Sequence, residues 1–125
     1  MHVLHLDHLV LTVKSIEDTC RFYETVLGME RQTFGQGRVA LKFGQQKINL
    51  HEAGKEFEPK AHCATPGSAD LCFIVSDLNE AENSIRQAGV DILAGPVQRT
   101  GATGPITSLY FRDLDGNLLE VATIN

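Results

Sequence analysis

The sequence predicts an α+β fold: two tandem β-α-β-β-β modules whose eight strands form a curved sheet around a cleft. Three features predict it. The pattern of His8-Leu9-Val10-Leu11-Thr12-Val13 returns as Asp70-Leu71-Cys72-Phe73-Ile74-Val75, 62 positions later. Each copy is followed by an acid-capped helix signal and a glycine stop, Gly28 and Gly89, 61 positions apart. Each half also ends in a matching strand, Ile48-Asn49-Leu50 and Leu119-Glu120-Val121, 71 positions apart. Module one is read as 1–51, the linker as 52–67 and module two as 68–125, together one domain of 125 residues.

Each element has a local cause. As strands, the first segments alternate two faces, so Leu9, Leu11 and Val13 share one, as do Leu71, Phe73 and Val75. Those apolar faces suit packing under a helix. Ser15-Ile16-Glu17-Asp18 is a helix start that satisfies orphan backbone donors, and Ile16, Cys20, Tyr23 and Leu27 form one buried stripe before Gly28. Strands are expected over 29–34, 38–43 and 46–51, with turns at Gly35-Gln36-Gly37 and Gly44-Gln45-Gln46. The linker holds Pro59, Pro66 and two glycines without clean periodicity, and its length makes it a candidate part of a site. In module two, Asp77-Leu78-Asn79-Glu80 opens a helix with the stripe Leu78, Ala81, Ile85 and Ala88. Strands follow near 90–94, 106–112 and 117–123, with Asp113-Leu114-Asp115-Gly116-Asn117 as the last turn. The glycine-rich loop Arg99–Pro105 lacks the Lys-Ser/Thr of a phosphate loop and receives no phosphate role.

Composition bounds the function. The net charge of −5, with no Lys/Arg cluster, argues against nucleic acid and an anionic membrane as partners and leaves a small molecule. No run approaches the ~18 apolar residues of a membrane span, and the chain reads as cytoplasmic. Cys20, Cys63 and Cys72 are too few and too scattered for a zinc clip and read as reduced. Cys72 shares its predicted face with Asp70.

The repeat also proposes a site. If the modules join through the faces that their helices leave free, His8, Asp70, Asn49, His51 and Glu120 line the cleft. Imidazole, carboxylate and amide groups of this kind hold a divalent ion and leave positions for water and substrate. The donor set leans towards Mn²⁺ or Fe²⁺, with Zn²⁺, Co²⁺ and Ni²⁺ open.

These residues lie in recognisable motifs. Asp7 through Val13, Phe22-Tyr23 with Val26-Leu27-Gly28-Met29, and Tyr110-Phe111-Arg112-Asp113 through Asp115-Gly116-Asn117-Leu118-Leu119-Glu120 resemble the vicinal oxygen chelate superfamily. This is the glyoxalase/bleomycin-resistance/dioxygenase family. A narrower resemblance is to the glyoxalase domain-containing and virulence-associated glyoxalase-like proteins. It is carried by Phe43 through His51, Glu56 through Ala61, Thr65 through Cys72, Gly95-Pro96-Val97 and Arg99 through Ala102.

The resemblance implies a glyoxalase-like fold, a homodimer, and metal positions at His8, Asn49, Asp70 and Glu120. Asn49 stands where glyoxalase I proper generally has a carboxylate, so His51 is an alternative ligand and Asn49 a cleft-lining residue. Asp70 stands where most metal-dependent members have His, which weighs against an extradiol dioxygenase. Tyr110, Arg112 and Cys72 complete the expected lining. The implied function is a metal-dependent lyase or isomerase acting on a small carbonyl compound or its thiol adduct. In it the ion stabilises an enediolate and Glu120 serves as base. The alternatives are metal-dependent addition of a thiol or water to an epoxide, as in fosfomycin resistance, and non-catalytic sequestration, as in bleomycin resistance.

Overall fold

The structure, a computed structural model, describes all 125 residues. Its first half runs β1 (His8–Val13), α1 (Ile16–Leu27), β2 (Glu30–Phe34), β3 (Arg38–Phe43) and β4 (Gln46–Glu52). The second runs β5 (Asp70–Ile74), α2 (Leu78–Gln87), β6 (Ala94–Thr100), β7 (Pro105–Arg112) and β8 (Leu118–Ile124). The β-α-β-β-β order occurs twice, as the repeat predicts. The strands form two open four-stranded sheets, ordered β1-β4-β3-β2 and β5-β8-β7-β6. In each sheet the first strand lies parallel to the last and the other pairs are antiparallel, because the crossover helix returns the chain in its original direction.

Both helices begin on the predicted caps. Ser15 Oγ accepts from the Asp18 N–H at 3.1 Å, and the Asp77 carboxylate accepts from Asn79 and Glu80. Gly28 ends α1 in the left-handed conformation at φ 66°, where a Cβ would be strained.

The strand expected near 90–94 is displaced to Ala94–Thr100. Gly95 and Pro96 look like breakers, but β6 is an outer strand, where a proline costs no ladder bond on its open side. The register slips between Ala94 and Val97, and a Cβ on Gly95 would run into the Ser108 carbonyl oxygen. Arg99 and Thr100, expected in a loop, pair with Ile106 and Pro105.

Within one chain the modules join through their helix faces, contrary to the arrangement that would bring the polar faces together. Leu11, Val13, Leu41, Ile48 and Leu50 of one sheet share a single core with Leu109, Phe111, Leu119 and Val121 of the other, with Tyr23, Val26 and Ile85 from the helices. The Ser84 hydroxyl donates to the Val26 carbonyl at 2.8 Å, and Phe43 meets Phe73 edge-on at 5.4 Å. The reason is composition: one face of each sheet supplies almost all the large apolar side chains, and burying these outweighs any pairing of the polar faces.

The turn between β7 and β8 fastens the modules. Buried Asp113 accepts from the Tyr23 hydroxyl at 2.6 Å and from the Asn117 amide at 2.8 Å, and Asn117 Oδ1 accepts from the Ala69 N–H at 2.9 Å. Asp115 accepts from the Lys14 N–H at 3.1 Å. No helix is long and apolar enough to cross a membrane.

Candidate functional site

The polar face of the first sheet carries His8, Val10 and Thr12 on β1, set beside Lys47, Asn49 and His51 on β4. Ala40 of β3 continues the row from Asn49. His8 Nδ1 lies 2.8 Å from Asp7 Oδ2, which leaves Nε2 free. The same hydrogen bond is the main reason that the Asp7 carboxyl lies below the usual carboxylate range. Asn49 is only 5% exposed, and its Oδ1 has no hydrogen-bond partner.

His51 is 3% exposed, and its Nε2 lies 3.4 Å from Arg38 Nη2. A guanidinium only donates, so Nε2 accepts and the ring proton sits on Nδ1. Burial, and then the Arg38 charge, hold the His51 pKa below its ordinary value. Phe57 of the linker meets the His51 ring edge-on at 5.5 Å. The linker thus crosses this face and encloses a cavity of about 520 Å³ with Val10, Thr12, His51 and Lys60 among its walls.

The polar face of the second sheet carries Asp70 and Cys72 on β5, Glu120 on β8, and Ser108 and Tyr110 on β7. Glu120 lies in register with Cys72 on one side and Tyr110 on the other. Fully buried Ser108 donates to Glu120 Oε2 at 2.5 Å. Burial first, and then the carboxylates of Glu120 and Asp70, push the Cys72 thiol up to about 11. Cys72 is therefore a thiol, not a thiolate, near neutral pH. Tyr110 Oη accepts from Arg99 Nε at 3.0 Å. Cys72, Arg99, Tyr110 and Glu120 share the wall of a second cavity, of about 470 Å³. Arg112 donates to the Gly116 carbonyl at 3.1 Å and belongs to the turn.

The sequence-predicted residues therefore fall into two sets, His8, Asn49 and His51 on one sheet and Asp70, Cys72, Tyr110 and Glu120 on the other. No three His, Cys, Asp or Glu residues gather as a metal-holding group inside one chain. Three further residues escaped the sequence reading. Asp7 orients His8, and its only signal was adjacency. Ser108 fixes Glu120 from two positions before Tyr110 on the same face. Arg38 lies against His51 from a neighbouring strand, a pairing visible only once the register is known.

A family model described as "Glyoxalase/Bleomycin resistance protein/Dioxygenase superfamily" matches residues 5–121. The chain belongs to this superfamily. Similar members include virulence protein STM3117 of Salmonella typhimurium, 59% identical across 98% of this chain and 85% of that protein. Glyoxalase domain-containing protein RDO1 of Mycosarcoma maydis is 52% identical across 98% of this chain and 70% of that one. The solved integron cassette protein VCH_CASS1 of V. cholerae superposes with a TM-score of 0.98 at 60% identity, covering 100% of this chain and 98% of its own. Superfamily members share the fold alone at lower identity. Lactoylglutathione lyase of Agrobacterium tumefaciens has a TM-score of 0.71 at 21% identity, over 95% of this chain and 92% of that one. FosX of Listeria monocytogenes, solved with Mn(II) and sulfate, has 0.70 at 19%, over 99% and 93%.

Proposed function

We propose that this superfamily member is a metal-dependent, glyoxalase-like lyase or isomerase acting on a small carbonyl compound or its thiol adduct. It works as a homodimer, whose cleft sets the β1–β4 face of one protomer against the β5–β8 face of its partner. One observation carries this reading: the donors divide between two open sheet faces that point away from a shared core, and neither face alone holds a complete set.

The donor chemistry fits a divalent cation. His8 has its Nδ1 turned to Asp7, the usual support of a ligating imidazole, with Nε2 left for the ion. Asp70 and Glu120 supply the charge. His51 enters the set only if Arg38 releases its Nε2. When bound, the ion supplies positive charge opposite the substrate oxygens on which negative charge develops.

The chain's own groups do the rest. Glu120 takes the proton from the carbon beside the substrate carbonyl and returns it to the neighbouring carbon. Ser108 fixes Glu120 by holding Oε2, so the carboxylate does not swing away. Cys72 stays protonated and serves as wall rather than nucleophile.

Elemental analysis of protein incubated with Mn²⁺, Fe²⁺, Ni²⁺ or Zn²⁺ tests the reading. Near-stoichiometric metal is expected in the wild type, with a loss of about tenfold or more in His8→Ala and in Glu120→Ala. A wild type that retains none of these ions contradicts the proposal and moves the search to ligands that are bound unchanged.

A further inference from the structure

Arg31 is bidentate to Glu17 at 2.7 and 2.8 Å, Arg86 meets Glu82 at 3.0 Å and Arg21 meets Asp18 at 3.4 Å. Three arginines of this chain, Arg38, Arg99 and Arg112, have no carboxylate within salt-bridge distance, and of these only Arg38 is half-buried rather than exposed. Two aromatic rings hold it instead, with Cζ 5.1 Å from the Phe34 centroid and 4.8 Å from that of Phe57. Ring faces attract a cation without neutralising it or using its N–H donors. Of those donors only the Nη2 contact to His51 is made, which leaves an open fork.

Lys47, on the same face, repeats the arrangement. Its Nζ lies 3.7 Å from the Phe34 centroid and likewise has no carboxylate in reach. An independent observation points to a ligand at the same place: Asn49, between Lys47 and His51 on this face, is 95% buried with an unpartnered Oδ1. The face therefore presents two cations without a direct carboxylate contact and an orphan acceptor.

We propose that Arg38 and Lys47 form an anion site for the carboxylate of a small organic acid, with Asn49 accepting from a hydroxyl or amide N–H of the same molecule. A planar carboxylate matches the guanidinium fork with two parallel hydrogen bonds. A guanidinium fork also takes phosphate, and titration with each separates the two. The substrate class of the cleft is then carbonyl compounds bearing a carboxylate. That last step rests on the function proposed above; the anion site itself does not.

Calorimetric titration of the whole protein, stripped of metal with EDTA and then freed of the chelator, tests it at low ionic strength, with succinate, malate and benzoate as probes beside succinamide and inorganic phosphate. At least one of the carboxylates binds the wild type, and succinamide does not. Arg38→Met weakens that binding by about tenfold or more, Lys47→Met weakens it by less, and Arg38→Lys falls between wild type and Arg38→Met, keeping the charge but losing the fork. Unaltered binding in folded Arg38→Met and Lys47→Met, a preference for inorganic phosphate, or no binding of any of the three carboxylates overturns the proposal. Carboxylate binding that survives in a protein shown to take no metal overturns the metal-dependent function and leaves the anion site standing.

Discussion

His51 shows how a neighbour decides what a side chain does. Alternation along β4 places it on the face of Asn49 and recommends it as a ligand, yet Arg38, thirteen positions away in sequence, occupies its Nε2 at 3.4 Å. Face membership was legible in the sequence because the strand period is two residues. The cross-strand contact was not, because it depends on register. The same contact has a pH signature. The folded-state pKa of His51 lies below the ordinary 6.5, so between the two values the unfolded chain binds a proton that the folded one does not. Stability present above the ordinary value is lost as the pH falls below it. The lowered carboxyls of Glu17 and Glu56 add a separate loss further down, below the ordinary carboxylate range. The fall in melting temperature between about pH 7.5 and about pH 5.5 is therefore expected to be smaller in His51→Gln than in the wild type. Equal falls in a thermal scan would contradict the role given to this ring.

At the scale of elements, the turn Asp113–Asn117 does more than its sequence suggests. Asp-x-Asp-Gly-Asn reads correctly as a tight turn between strands. Its reach does not, because Tyr23, Lys14 and Ala69 come from three distant parts of the chain. Burial, and then the Asp113 carboxylate, raise the Tyr23 pKa well above its usual value, so the hydroxyl remains a donor. Removing the carboxylate in Asp113→Ala leaves Tyr23 and Asn117 as buried donors without an acceptor, and a loss of about 2–4 kcal/mol is expected. Tyr23→Phe removes one bond and costs about 1–2 kcal/mol. Urea unfolding measures both, and an Asp113→Ala variant as stable as the wild type would show that the turn does not fasten the modules. The displaced strand β6 teaches a related lesson: Gly95-Pro96 signals a break only if the strand is internal, and strand order is not visible in local sequence.

For the molecule as a whole, the repeat made the β-α-β-β-β order of both halves legible, while the parallel pairing of first and last strands emerged only in the structure. Which faces meet was not legible, since each sheet has two faces and alternation does not rank them. The large apolar side chains ranked them, drawing both helix faces into one core and leaving His8 and Asn49 on one outward face and Asp70 and Glu120 on the other. Val10 and Ile74, on those same two faces, stay 43% and 56% exposed, which suits surfaces that a second copy covers.

The central claim is that each cleft takes its donors from two chains, and mixing variants tests it most directly. His8→Ala and Glu120→Ala protomers are unfolded together, refolded and analysed for bound metal. If the cleft is shared, each mixed dimer has one intact site and one lacking both donors, so random pairing restores about a quarter of the wild-type metal although neither variant binds alone. A mixture as empty as its two components, beside a refolded wild type that binds metal, would contradict the shared cleft.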